Sequence, residues 1–262
     1  MKIVVFVKYV PDAQSDRTFV DADKTTDRSV DGLLSELDEY PLEAALKIVE
    51  ASDGEVIALT VGPDDAVDAV RKALQIGANS GVHILDDALH GSDASATSLV
   101  LAKAIEKLGE ESPVDLVLTG IASTDGSTSL VPAQLAERLG WPQVTFASTL
   151  DATDSGVTIR RDGDVSSETV EASLPAVVSV TDQINEPRYP SFKGIMAAKK
   201  KPLDEWTIDD LGLNADQVGF AGSWTEVTDI AARPPRQAGE IITDEGDGGT
   251  KLVDFLAAQK LV

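Results

Sequence analysis

The feature that most constrains this chain is an alternation of short apolar runs with amphipathic stretches across its first two thirds. Residues 3–7, Ile3-Val4-Val5-Phe6-Val7, form an unbroken apolar run, the pattern of a strand covered on both faces. Residues 40–49 have helical spacing. Residues 56–61 predict a second buried strand closed by Gly62-Pro63, and residues 66–77 a helix with Gly77 at its stop. A third strand is expected over 81–85, a third helix over 94–108 before Gly109, and a fourth strand over 114–119, followed by a loop and a helix running to Gly140. Strands and helices at this spacing imply an α/β fold: a doubly wound, mostly parallel sheet with helices on both faces. Residues 156–161 and 168–173, around the turn Asp162-Gly163-Asp164, add an antiparallel hairpin, and 176–181 return as a buried strand. From Asn185 the sequence turns irregular, polar and Pro-containing. Its last predicted element is a helix over 250–260, after the linker-like 244–249. The expected organisation is one α/β domain over 1–184, hairpin 156–173 included, and an extended C-terminal arm over 185–262.

Composition narrows the classes of function. The 262 residues include 45 acidic and 22 basic side chains, a formal charge of −23, with 42% hydrophobic residues. That apolar content supports a sizeable core. There is no cysteine, which excludes disulfides, thiolate metal sites, iron–sulfur clusters and cysteine nucleophiles. Two histidines exclude a multi-histidine metal site. No stretch approaches the ~20 apolar residues of a spanning helix, so no membrane insertion is expected. The opening run of five apolar residues is shorter than the ~7–15 of a signal-peptide core, and a cytoplasmic location is expected. So acidic a chain repels nucleic-acid phosphates, which argues against nucleic acid as a partner. The acidity suits concentrated salt, where the Debye length shrinks to a few Å; a surface built to meet one basic partner is the alternative.

The strongest chemical signal lies in residues 114–132. A buried strand ends at Gly120. A loop of small and hydroxyl residues follows, and a helix is expected to start near Thr128 and Ser129, with Pro132 in its first turn and Gly140 after its end. Open parallel sheets bind ligands beyond the carboxyl ends of their strands, and free N–H groups at a helix start attract phosphate. The pattern serves either an ordinary capped connection or a phosphate site. It has neither Gly-x-Gly-x-x-Gly nor a Walker lysine, and Gly-x-Ser-x-Gly, which a serine α/β hydrolase would need, is absent from the chain. His83, in an apolar run, and His90, in a polar loop, have structural or surface character. Lys199-Lys200-Lys201 is either a solvated run or an electrostatic docking patch.

Residues 185–201, NEPRYPSFKGIMAAKKK, closely resemble a segment of the electron transfer flavoprotein (ETF) β subunit. Four further stretches resemble the family in the right order: 7–12, Val61-Gly62-Pro63, 141–147, and a signature region from Glu168 to Ser179, with Val165 departing from the usual Gly or Asp. The resemblance runs from Met1 to about Gly239.

The resemblance implies an α/β subunit paired with a larger α subunit. FAD is shared with α, and a buried nucleotide, AMP, has a largely structural role. Electrons would pass from flavin dehydrogenases, such as acyl-CoA dehydrogenases, to a membrane quinone oxidoreductase. The chain would be a carrier without catalytic side chains. The family's nucleotide loop matches Gly120, Ile121, Ala122, Ser123, Thr124, Asp125, Gly126, Ser127, Thr128, Ser129, Leu130 and Val131; its other contacts fall at Phe6, at Ser35, Glu36, Leu37 and Asp38, and at Val61. The dehydrogenase-gripping segment would present Tyr189, Phe192, Ile195, Lys199, Lys200 and Lys201. Three departures stand out. Ser35-Glu36-Leu37 replaces a common Asn-Pro-Phe, so Leu37 would approach the flavin without stacking. A common Tyr of the first loop is Ala13 here. Asp125-Gly126-x-Thr128-x-x-Val131 is similar to electron-bifurcating ETFs, where a second FAD takes the AMP position. From another class, an adenine-nucleotide-binding stress-type regulator would share the alternation of strands and helices.

Overall fold

The apolar runs become strands because both of their faces find cover. In the computed structural model, which describes residues 1–12, 14, 17–235, 239 and 241–262, β1 (Lys2–Phe6) sends Ile3 and Val5 into one core and Val4 into the other. A small antiparallel pair, β2 (Tyr9–Pro11) and β3 (Gly32–Leu34), follows, then α1 (Glu36–Ala51), β4 (Glu55–Val61), α2 (Val67–Ile76), β5 (Ser80–Ile84), α3 (Ala94–Leu108), β6 (Leu116–Gly120) and α4 (Val131–Leu139). Next come β7 (Gln143–Ala152), β8 (Gly156–Asp162), β9 (Ser167–Ser173), β10 (Ala176–Val180), α5 (Phe192–Ala198), β11 (Leu203–Trp206), α6 (Gly219–Gly222) and α7 (Gly248–Ala258).

The main sheet has nine strands in the order β11-β5-β4-β1-β6-β10-β7-β8-β9. The run from β11 to β7 is parallel, and β8 and β9 extend it antiparallel. Leu42, Leu46, Val70 and Leu74 of α1 and α2 pack on one face; Val100, Ile105 and Leu135 of α3 and α4 pack on the other. The α/β fold with parallel sheet and hairpin is the one expected. After β1 the chain adds β4 on one side and β6 on the other, so the order reverses at the carboxyl ends of β1 and β6.

Several elements differ from expectation. The helix expected from Thr128–Ser129 starts at Val131, because Ser127 and Ser129 take left-handed φ of 52° and 54°, which cannot extend into a right-handed helix. Gly140 does close it in the left-handed conformation. α1 begins at Glu36 and runs through Pro41. Pro41 has no N–H for the Leu37 carbonyl, and that carbonyl faces Gly120, where an added Cβ would lie 2.5 Å from it. β7 has no strand signal because its alternation breaks at Phe146, with φ of 61° and a shift of register against its neighbours.

Contacts divide the chain between Ile230 and Ala231, well past the composition change at 185. The irregular stretch after Asn185 contributes β11 to the sheet edge and buries Ile208, Leu211, Leu213 and Val218 against the second core. In the unit from Ala231 to Val262, α7 has no buried residue, and Leu252, Val253 and Phe255 are exposed. Asp244 takes the Gly246 and Gly248 N–H groups at its start. Among the described residues no helix is long and apolar enough to cross a membrane.

Candidate functional site

A cleft of about 130 Å³ opens where the strand order reverses, the position at which open α/β sheets bind ligands. Phe6, Val7 and Lys8 line it from the end of β1, Leu59 and Val61 from β4, and Thr119 to Ser123 from β6. Thr128, Ser129, Val131 and Pro132 close it at the start of α4, with Asp38, Thr97 and Leu101 completing the wall. The wall is apolar on one side and rich in backbone and hydroxyl groups on the other.

Of the residues singled out from sequence, Phe6, Asp38, Val61, Gly120, Ile121, Ala122, Ser123, Thr128, Ser129 and Val131 meet here. Ser35, Glu36, Leu37, Thr124, Asp125, Gly126, Ser127 and Leu130 lie outside the wall. Ala13 lies outside the described residues. The Ser127 N–H donates to the Ser123 carbonyl at 3.0 Å, while those of Thr128, Ser129 and Leu130 have no partner among the described residues. Such free donors at a helix start suit an anion. Ser35 Oγ is fully buried without a partner among the described residues, and the Ser35 N–H donates to the Lys8 carbonyl. Gly126 is exposed, and a Cβ there would meet only Ser123 Oγ, at 3.3 Å; Gly120 is the glycine with no room.

Charge around the loop is arranged by residues far apart in sequence. Asp125, 1% exposed at its side chain, pairs with Lys8 Nζ at 2.9 Å and with the Arg28 guanidinium, and accepts its neighbour Gly126's N–H at 2.6 Å. Burial opposes its ionisation, yet the Lys8 and Arg28 charges hold its carboxyl below the usual carboxylate range. Asp38 behaves oppositely. Burial pushes it up to about 8, the Asp125 charge adds to that, and the Lys8 N–H at 2.8 Å and its ammonium only partly compensate. Two cations therefore face one ionised carboxylate, a locally positive spot in an acidic chain. Lys8 and Arg28 escaped sequence reasoning because their partner is 117 and 97 residues away.

The second group of residues lies elsewhere, on α5 and the residues that flank it. Tyr189, Phe192 and Ile195 are exposed there, with Met196 beside them. Lys199 and Lys200 follow α5, but Lys201 turns inward: its Nζ donates to the carbonyls of Leu74, Gly77 and Ala78 at the end of α2, and burial pushes its ammonium down. Arg188 donates to Glu43 at 2.6 Å and to Glu50 at 2.9 Å on α1. The two histidines are structural or surface residues. His83 is buried against the Gly62 carbonyl, and exposed His90 contacts Asp23.

Comparison with known proteins decides the family. A profile described as "Electron transfer flavoprotein domain" matches residues 24–211. The chain is 46% identical to an electron transfer flavoprotein subunit beta from Mycobacterium leprae, over 99% of both chains. The chain belongs to the electron transfer flavoprotein β-subunit family. Within that family it is 33% identical to the β subunit of Megasphaera elsdenii over the whole of both chains. It is 35% identical to the caffeyl-CoA reductase–Etf complex subunit CarD of Acetobacterium woodii, over 93% of this chain and 92% of that one. Membership of the electron transfer flavoprotein family makes electron transport, with a flavin, the general setting of this chain.

Proposed function

We propose that this chain is the β subunit of a heterodimeric ETF that carries electrons between flavin dehydrogenases, such as acyl-CoA dehydrogenases, and a membrane quinone oxidoreductase. The observation that carries the reading is the coincidence of the cleft with the family's nucleotide loop: the Thr128–Leu130 N–H groups, without a partner among the described residues, and the tight Gly120 suit an adenine nucleotide. The phosphate would sit at the start of α4, with the adenosine against Phe6, Leu59 and Val61. AMP is the preferred occupant; the Asp125–Val131 pattern favours a second FAD instead, as in bifurcating ETFs. The principal FAD would be held mostly by the α subunit, with half-buried Leu37 on its β side. The flavin supplies the redox chemistry when bound, and this chain supplies binding and orientation.

The apolar face of α5 would dock dehydrogenases, with Lys199 and Lys200 beside it. The arm beyond residue 230, with its unburied α7, would seat on the α subunit. A cytoplasm rich in salt accounts for the charge of −23. The melting temperature should then rise from dilute buffer to molar salt, and a flat curve would remove that reading.

The deciding experiment is chromatography of nucleotides released by acid from the co-expressed complex. One FAD and one AMP per heterodimer are expected. Two FAD and no AMP would establish the bifurcating arrangement, and a colourless chain that holds an adenine nucleotide without needing a partner would leave the stress-type regulator as the better reading. Gly120→Val, which drives a side chain into the Leu37 carbonyl, should empty the cleft.

A further inference from the structure

Arg28 stands outside the cleft, yet its guanidinium ends on the loop that forms the cleft's polar side. One arm pairs with Asp125, and Nη1 donates to the Tyr9 carbonyl at 3.2 Å. Tyr9 belongs to β2, and its Oη in turn accepts the Gly32 N–H of β3 at 3.0 Å. Arg28 therefore ties the small β2–β3 pair to the nucleotide loop. Arg17 adds a second tie, to the Thr124 carbonyl.

Asp125 is fully engaged by this arrangement. Its Oδ2 takes Arg28, and its Oδ1 takes Lys8 and the Gly126 N–H. It is not part of the cleft wall. Its carboxylate transmits the position of two fixed cations to the backbone that follows. That backbone needs holding, because Ser127 and Ser129 both adopt left-handed φ, which side-chain-bearing residues disfavour. At the same two turns the Thr128, Ser129 and Leu130 N–H groups have no partner among the described residues, at the start of α4.

We infer that Arg28 is a positioning residue for anion binding: acting through Asp125, it holds the Thr128–Leu130 N–H groups in the arrangement that receives a phosphate, without touching the ligand. This rests on the nucleotide reading of the cleft and adds to it the residue that keeps the site formed. The ligand class is a nucleoside carrying a phosphate or pyrophosphate group. The nucleoside part meets the apolar wall and is independent of Arg28.

The test uses the full-length chain co-expressed with its α subunit, stripped of nucleotide in the cleft and titrated with AMP, with adenosine, and with FAD. Arg28→Gln should weaken AMP, or FAD if that is what wild type binds, about tenfold, and leave adenosine within twofold. Asp125→Asn should do the same, and the double variant should be no weaker than the worse single, since both act through one link. Arg28→Lys should recover part of the loss. Phosphate-ligand affinity within twofold of wild type in Arg28→Gln, equal loss for adenosine, or additive losses in the double variant would each overturn the inference while leaving the cleft a nucleotide site. A wild-type complex that binds none of the three would overturn the nucleotide reading and the inference together.

Discussion

The loop after β6 and the α5 segment are both held by basic side chains, but they present different surfaces. Lys8 and Arg28 converge on buried Asp125, and the loop they hold leaves the Thr128–Leu130 N–H groups without a partner among the described residues. Arg188 and Lys201 bracket α5 from its two ends, on Glu43 and Glu50 of α1 and on the carbonyls at the end of α2, and the segment between them leaves Tyr189, ahead of the helix, and Phe192, its first residue, 93% and 81% exposed. Gly194 lets the helix sit close, since a Cβ there would lie 2.4 Å from the Gln75 carbonyl. In a chain with half as many bases as acids, these four cations are placed where they set the position of something else. One region lines a cleft; the other leaves apolar side chains exposed.

The largest effect should come from removing a bracket. Glu43 is 4% exposed, so Arg188→Ala leaves its carboxylate buried with only Lys47 at 3.6 Å. Breaking a buried pair costs ~3–5 kcal/mol, and partial exposure of Arg188 lowers the expectation to about 2–3 kcal/mol. Denaturant unfolding in molar salt measures it. A loss below about 0.5 kcal/mol would reduce the bracket to an ordinary surface pair and dissolve the parallel with the nucleotide loop.

The next prediction separates the two carboxylates of the cleft region. An unfolded Asp ionises near pH ~3.9. Asp38 keeps its proton in the fold up to about 8, so between those values the folded state binds one proton more than the unfolded state. Stability therefore falls as pH rises from about 4 to 8 and levels off above. Asp125 has the opposite sign. Its contribution is complete above the unfolded pKa and is lost as the pH drops below about 4. Asp38→Asn should flatten the slope measured by unfolding between pH 5 and 8. Half-buried Glu39, also raised by burial, keeps a smaller slope of the same sign. An unchanged slope would place the proton elsewhere.

The two regions also differ in how far the sequence disclosed them. The cleft's outline was legible from local chemistry: a buried strand ending at Gly120, hydroxyl residues, Pro132 and Gly140 are each a short-range signal, and the parallel sheet placed them at a strand end. What joins Lys8, Arg28 and Asp125 is the meeting of β1, the loop before β3 and the loop after β6, which no local window contains. The start of α4 carries no sequence signal, because left-handed φ at Ser127 and Ser129 leaves no mark in composition when the residue is not glycine. For α5 the local pattern was weaker still. Pro187 and Pro190 masked a seven-residue helix, and β11 gains its strand character only by pairing with β5. That segment was legible through family resemblance, which transfers the exposed apolar residues but not the brackets. Lys201 shows the limit, grouped by sequence with Lys199 and Lys200 and separated from them by the fold.

The smallest effect on stability should come from Phe192, and it is the sharpest test of the contrast. A buried Phe truncated to Ala costs ~3–5 kcal/mol, but Phe192 is 81% exposed and has no core to lose. Phe192→Ala should therefore change unfolding free energy by less than about 0.5 kcal/mol, the range of surface substitutions. Its role in docking would instead show in affinity, because exposed aromatic anchors carry a large share of binding energy at ~2 kcal/mol or more. That corresponds to a loss of about thirtyfold in affinity for a flavin dehydrogenase, with nucleotide content unchanged. Titration of the complex with an acyl-CoA dehydrogenase measures the first, and nucleotide release the second. A stability loss above about 1.5 kcal/mol would mean that Phe192 packs within its own subunit. Unchanged affinity with unchanged stability would leave α5 exposed without a partner on this face. Coupling it to Arg188→Lys gives the final discrimination: a weaker bracket should lower dehydrogenase affinity only while Phe192 is present, because what the bracket positions is that side chain.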